Sequence, residues 1–249
     1  MKEPWGYRTE GLFQSEEETK GYVNTIVKSS ANGVWHAGDL KFADLNGNGK
    51  IDYGDNTVTN PGDKVILGNT EPRYMYSFTV NADWNNFFFS AFFQGVGKQD
   101  WFPGRESPFW GQYNRAYNSL PSWHLNNYWT PENKGAYLPR YSTYNSALGW
   151  GGTITDRYIQ NVAYIRLKNL QLGYNLPRTW ASKVGMSNVR LYMTGENLFS
   201  WSPLYKRTKD FDVSSASAYQ DTDLSSNNMG DGNSYPIMRS VSLGLSVTF

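Results

Sequence analysis

Arg239-Ser240-Val241-Ser242-Leu243-Gly244-Leu245-Ser246-Val247-Thr248-Phe249 sets two kinds of side chain on two sides of an extended chain. Val241, Leu243, Leu245, Val247 and Phe249 form one row. Ser242, Gly244, Ser246 and Thr248 form the other, because side chains alternate with a period of two along a strand. A half-buried strand of a soluble sheet carries this alternation. So does a strand with one face in lipid and the other in a wet lumen. The rest of the chain has to separate the two.

Composition narrows the field. With 16% aromatic residues, 18% charged residues and abundant Asn, Ser and Gly, the chain suits strands and turns better than helices. A net charge of +1 offers no basic field for nucleic acid. The absence of cysteine removes disulfide scaffolds, thiolate metal sites and cysteine nucleophiles. No stretch approaches the roughly 18 consecutive apolar residues of a spanning helix. Barrel strands are only about 9–11 residues long and escape that criterion. Met1–Gly6 lacks the apolar core of a signal peptide.

Several further segments alternate in the same way. Tyr74, Tyr76, Phe78 and Val80 oppose Arg73, Met75, Ser77 and Thr79; a turn over Asn81–Asn86 then leads into Phe87–Gly95, completing a hairpin. In Val162–Asn175, Ile165 and Leu167 lie on one phase and Leu170, Leu172 and Tyr174 on the other. A β-bulge near Lys168-Asn169 restores a common face. Val189–Phe199 alternates again. Towards the amino terminus, Ser15 and Glu18 have capping-box spacing. They open a short helix expected to present Tyr22, Val23, Ile26 and Val27 on one face.

Asp44-Leu45-Asn46-Gly47-Asn48-Gly49-Lys50-Ile51-Asp52-Tyr53-Gly54-Asp55 has the spacing of an EF-hand calcium loop. A hard cation needs six to eight oxygens and a glycine at the sharp turn. Asp44, Asn46, Asn48, Asp52 and Asp55 offer side chains, and Lys50 its carbonyl. Two features depart from that pattern: position twelve is Asp rather than Glu, and a strand rather than a helix precedes the loop. A metal-free turn rich in Asn, Gly and Asp has the same composition.

Residues 98–158 and 200–235 form long connections, the first crowded with aromatic side chains, which argues against disorder. Trp101, Trp110, Trp123 and Trp129 are the candidates for ligand contact, because flat rings with a polar edge suit sugars and interfaces. Packing of the loops on themselves is the alternative. The two histidines, His36 and His124, sit in no catalytic motif and are expected to be structural. A glycosidase needs two convergent carboxylates, and no such pair stands out. The chain reads as a non-enzyme.

Connections between the five strands run short, very long, moderate and long. Outer-membrane barrels show this asymmetry, with short periplasmic turns and long outer loops. The expected architecture is therefore all-β: an antiparallel transmembrane β-barrel segment with long extracellular loops and one short helix. Residues 1–70 form a loop region and 71–249 the strands with their loops. Five strands leave open edges that lipid forbids, so the chain is expected to be the carboxy-terminal part of a longer protein.

Gly6–Ser15, Gly38–Asp55, Phe92-Phe93-Gln94-Gly95, Tyr164–Pro177, Gly195–Phe199 and Ser242–Phe249, in this order, resemble the carboxy-terminal part of SusC/RagA-type TonB-dependent transporters. The resemblance covers essentially the whole chain. It implies a plugged barrel of roughly 22 strands in the outer membrane of a Gram-negative bacterium. It also implies a SusD-like lipoprotein partner, a TonB complex engaged through an amino-terminal part, and import of oligosaccharides or peptides. The calcium-like loop would hold Ca2+ in either reading. The alternative is a secreted all-β, calcium-containing glycan-binding module.

Overall fold

The alternation of Arg239–Phe249 is realised in an antiparallel meander of five strands. The computed structural model describes residues 3–22, 24–25, 34–103, 107–113, 118–141, 154–216 and 237–249. The strands are β1 (Arg73–Trp84), β2 (Phe87–Lys98), β3 (Tyr164–Asn175), β4 (Asn188–Trp201) and β5 (Ser240–Thr248), each paired with its neighbours in the sequence. Twelve extended residues reach about 40 Å, enough to cross the roughly 25 Å apolar band of an outer-membrane barrel at tilts of about 35–45°.

Register turns the separate alternations into two continuous faces. One row reads Val80, Ala91, Leu170, Gly195, Val241; the next reads Ala82, Phe89, Leu172, Met193, Leu243. Below these lie Trp84, Phe87, Tyr174, Leu191 and Leu245; above them, across the bulge, lie Phe78, Phe93, Leu167 and Phe199, then Tyr76, Gly95, Ile165 and Trp201. The middle rows are mostly aliphatic and the end rows mostly aromatic. Trp84 and Tyr76 are eight residues apart on β1, about 26 Å at strand rise, which matches the roughly 25 Å apolar band between aromatic girdles in outer-membrane barrels. Most of the larger side chains in these rows stand in the open: Leu243 is 83% exposed and Trp84 76%.

The other face is polar. Asn81, Ser90, Gln171, Thr194 and Ser242 make one row, and Thr79, Phe92, Asn169, Glu196 and Ser240 another. Phe88 and Tyr192 lie flat over Gly173 and Gly244, where a Cβ would stand 2.3 and 2.2 Å from the ring atoms. Glycine is what lets these rings lie against the sheet. A soluble sandwich would bury the apolar face rather than the polar one. The outcome is therefore the all-β barrel segment.

The bulge falls where the phases break, between Leu167 and Asn169. The first hairpin differs from expectation. Asn81–Trp84 continue β1, and the turn shrinks to Asn85-Asn86, both at positive φ (46° and 68°), as a two-residue hairpin turn requires. Asn81 and Asp83 have turn chemistry, yet they fall on the polar face and pair with Ser90 and Phe88. Register outweighed local propensity.

The chain divides into two units. Pro72–Gln99, Asn161–Lys206 and Tyr235–Phe249 carry the sheet; Met1–Glu71, Asp100–Gln160 and Arg207–Ser234 make the other unit. Most of the two long connections group with the amino-terminal segment. In that loop unit Trp5–Tyr7 pairs with Lys64–Ile66 and Thr9–Leu12 with Leu40–Phe42. Phe13, Leu40, Phe42 and Ile51 are fully buried there. Helix α1 is one turn, Glu16–Thr19. Ser15 caps it by accepting from the Glu18 amide, and Glu18 returns to the Gln14 amide rather than to that of Ser15. Gly21 at φ 75° ends the helical path, so Tyr22 leaves it. The Tyr22 hydroxyl instead donates to the carbonyl of Phe42 and accepts from its amide. Val23, Ile26 and Val27 lie outside the described residues.

Candidate functional site

The Asp44–Asp55 loop folds through its own oxygens. Asp44 accepts from the amides of Gly47 (2.7 Å) and Gly49 (2.8 Å), Asn46 from that of Asn48 (2.9 Å), and Asn48 from that of Lys50 (2.8 Å). Asp52 accepts from the amide of Gly54 (2.8 Å). Gly49 takes φ 76°, which the sharp turn needs. Ile51 is buried and anchors the loop. Asp55 behaves differently: its carboxylate accepts from the Asn60 amide group at 2.8 Å, in the adjoining turn.

A residue outside the motif closes this loop. Asp63 is fully buried; one oxygen accepts from the amides of Leu45 and Asn46, and the other from that of Asp52 at 2.8 Å. Three charge-assisted bonds satisfy it. Nothing in the sequence singles out Asp63, because its partners lie 11 to 18 residues earlier. Among the described residues no three His, Cys, Asp or Glu side chains gather as a metal cage. A cation here would rely on Asp44 and Asp52 together with the amide oxygens of Asn46 and Asn48 and the Lys50 carbonyl. These are hard oxygen donors that suit calcium rather than a transition metal.

The tryptophan candidates are mostly packed away. Trp101, Trp110 and Trp129 are 2%, 4% and 8% exposed, and Trp123 is half-buried. Trp101 meets Phe109 and Phe211; Trp110 meets Phe102, Phe109 and Tyr158; Trp123 lies 4.7 Å from Phe109 and edge-on to His124 at 4.3 Å. The indole N–H of Trp110 is spent on the carbonyl of Pro103. Of the four rings named as candidates for ligand contact, the three buried ones supply apolar area to the core of the loop unit. One sequence cannot tell a ring that packs inward from one that faces out, because residues 98–158 have no periodicity.

His124 sits inside this aromatic core with no exposure. Its Nε2 lies 2.8 Å from the Phe109 carbonyl and its Nδ1 2.7 Å from the Tyr141 hydroxyl. A carbonyl can only accept, so Nε2 carries the proton and Tyr141 donates to Nδ1. Burial disfavours the imidazolium and pulls the pKa down to about 4, against the opposing pull of the Phe109 carbonyl. The histidine is structural. His36 approaches Glu16 at 3.5 Å.

Tyr137 is the best-positioned partly exposed ring of the loop unit. Its hydroxyl donates to the Arg157 carbonyl and accepts from Gln160. The Arg207 guanidinium lies 3.5 Å from the ring centroid and that of Arg157 lies 5.6 Å away. Burial raises the Tyr137 pKa, with Arg207 the largest opposing influence. Sequence spacing hides this group, since Tyr137, Arg157 and Arg207 lie in separate segments.

No family model matches the chain. TonB-dependent receptor P3 of Formosa agariphila is 31% identical over 248 residues, covering 98% of this chain and 22% of that protein. TonB-dependent receptor SusC of Bacteroides thetaiotaomicron is 26% identical over 215 residues, covering 84% of this chain and 17% of SusC. Among solved structures, the RagAB peptide importer in its open-open state superposes with a TM-score of 0.51 at 16% identity, over 98% of this chain and 22% of that one. The chain thus spans about a fifth of the length of these relatives, which are receptors and transporters rather than enzymes. The two-faced sheet accounts for that likeness in physical terms. The chain belongs to the TonB-dependent receptors of the SusC/RagA type, outer-membrane proteins of Gram-negative bacteria, and forms part of their barrel.

Proposed function

We propose that this chain forms part of the barrel wall and the ligand-facing loops of an importer that takes up oligosaccharides or peptides with a SusD-like surface lipoprotein and energy from TonB. The observation that carries this reading is the five-stranded sheet, apolar on one face and polar on the other, with aromatic rows at both ends of the apolar band. Its open edges, β1 and β5, are unpaired among the described residues. A lipid-facing sheet needs further strands along both. The RagAB peptide importer is named for peptide import, which supports peptides as one of the two cargo classes. The test is uptake of labelled oligosaccharides and peptides by cells with and without the intact gene, with and without a protonophore. Energy-dependent loss of uptake for one of these classes is the expected result; unchanged uptake of both would overturn the reading.

We further propose that the Asp44–Asp55 loop takes calcium through Asp44, Asn46, Asn48, Asp52 and the Lys50 carbonyl. The inward-turned oxygens around Gly49 support it. Chelator should then speed proteolysis within residues 44–55 of the intact receptor, and added calcium should restore protection. Equal cleavage under both conditions would remove the cation from the account.

A further inference from the structure

The acids nearest in sequence to Arg157 and Arg207 are committed elsewhere. Asp156 accepts from the amide and hydroxyl of Thr9, at 3.1 and 2.7 Å. Asp210 accepts from the hydroxyl of Thr208 at 2.8 Å. Among the described residues neither arginine has an acidic partner, although both guanidinium centres lie within 5.6 Å of one tyrosine ring. Two like charges at such a ring repel each other unless an anion or water screens them.

Their donors are used unequally. Arg157 is anchored: Nε donates to the Tyr137 carbonyl at 2.9 Å and Nη2 to that of Ala136 at 2.8 Å. Arg207 is exposed and stacked on the ring, with none of its side-chain donors bonded among the described residues. Stacking holds the guanidinium plane without consuming its N–H edge, which leaves a rigid fork of the shape a carboxylate matches. The Tyr137 platform is itself fixed at its hydroxyl by Arg157 and Gln160. Beside it, 5.4 Å away and edge-on, is the buried Tyr158.

We infer that Arg207, stacked on the Tyr137 ring to which Arg157 is also close, is a docking point for the carboxylate of an acidic oligomeric ligand. The ligand carboxylate meets the Arg207 fork bidentately, and Arg157 adds charge from an anchored position. The inference rests on the reading that the loop unit captures a ligand, and it names the chemical class of that ligand.

The test uses the full-length receptor in detergent, titrated calorimetrically with hexagalacturonate, hexaglutamate and neutral maltohexaose. At least one carboxylate probe is expected to bind, more weakly as salt rises, and which one binds identifies a sugar or a peptide source. Arg207→Ala should weaken it at least tenfold, with Arg207→Lys, which keeps the charge but loses the planar fork, in between. Arg207 is exposed, so folding should be unaffected, and unchanged heat-modifiability on gels checks this. Absence of binding by both carboxylate probes, or equal affinity in the wild type and Arg207→Ala, overturns the inference. Because binding is read without energised membranes, cellular uptake that is unchanged without the intact gene, together with intact carboxylate binding, would count against the import reading and leave this site standing.

Discussion

Arg140 grips Asp39 across 101 residues of sequence: Nε lies 2.6 Å from one carboxylate oxygen and Nη2 3.4 Å from the other. Asp39 is fully buried and also accepts from the amide of His36 at 2.9 Å, while the Arg140 amide donates to the Gly38 carbonyl. The pair ties the amino-terminal segment of the loop unit to residues 118–141. Removing one partner of a buried ion pair leaves the other uncompensated, at a cost of about 3–5 kcal/mol. Arg140→Gln should therefore lower the thermal unfolding midpoint of the loop unit in the purified receptor. A midpoint equal to wild type would show that solvent compensates Asp39.

Acid should loosen the aromatic core through His124. Its unfolded imidazole takes up a proton near pH 6.5, whereas the folded one resists until about 4. The unfolded state thus binds more protons in this window, and stability falls as the pH drops from 6.5 towards 4, by at most about 3 kcal/mol. Hydrogen-exchange protection factors at residues 108–113 and 122–124, taken relative to intrinsic exchange at each pH, should fall across that interval. The same fall in His124→Asn would assign the effect to other groups.

The sheet faces predict opposite responses to charge. Leu243→Arg, in a middle row of the apolar face, should cost about 2–4 kcal/mol and reduce the folded, heat-modifiable fraction of the receptor. Ser242→Arg, one residue away on the polar face, should assemble close to wild-type levels. Equal damage from both would contradict the assignment of lipid to the Leu243 face.

Asp63→Asn tests the closure of the Asp44–Asp55 loop. An amide in place of the carboxylate leaves one backbone N–H facing a donor, and the loss should be about 1–3 kcal/mol. Faster proteolysis within residues 44–55 at saturating calcium is the expected readout. Unaltered cleavage would mean that the loop holds itself without Asp63.

Strand identity, the bulge near Lys168 and the two-faced character of the sheet were legible in the sequence. A period of two is a local property, and a lipid-facing strand writes it along its whole length. The extent of the first hairpin was not legible, since Asn81 and Asp83 carry turn chemistry that only pairing with β2 overrides. Helix α1 showed its cap but not its length, because its hydrophobic pattern could not reveal that Tyr22 would turn away to bond Phe42.

By itself the sequence determined the membrane-spanning sheet, the oxygen-rich turn at Asp44–Asp55 and the resemblance to one receptor family. Each depends on neighbours within a few residues, where spacing fixes geometry. The tertiary structure decided what distant residues do together: Asp63 closing the loop, Arg140 gripping Asp39, tryptophans turned into a core, and Arg207 laid on Tyr137. Those contacts arise from the packing of aperiodic segments, and residues 98–158 contain no repeat from which their facing could be read.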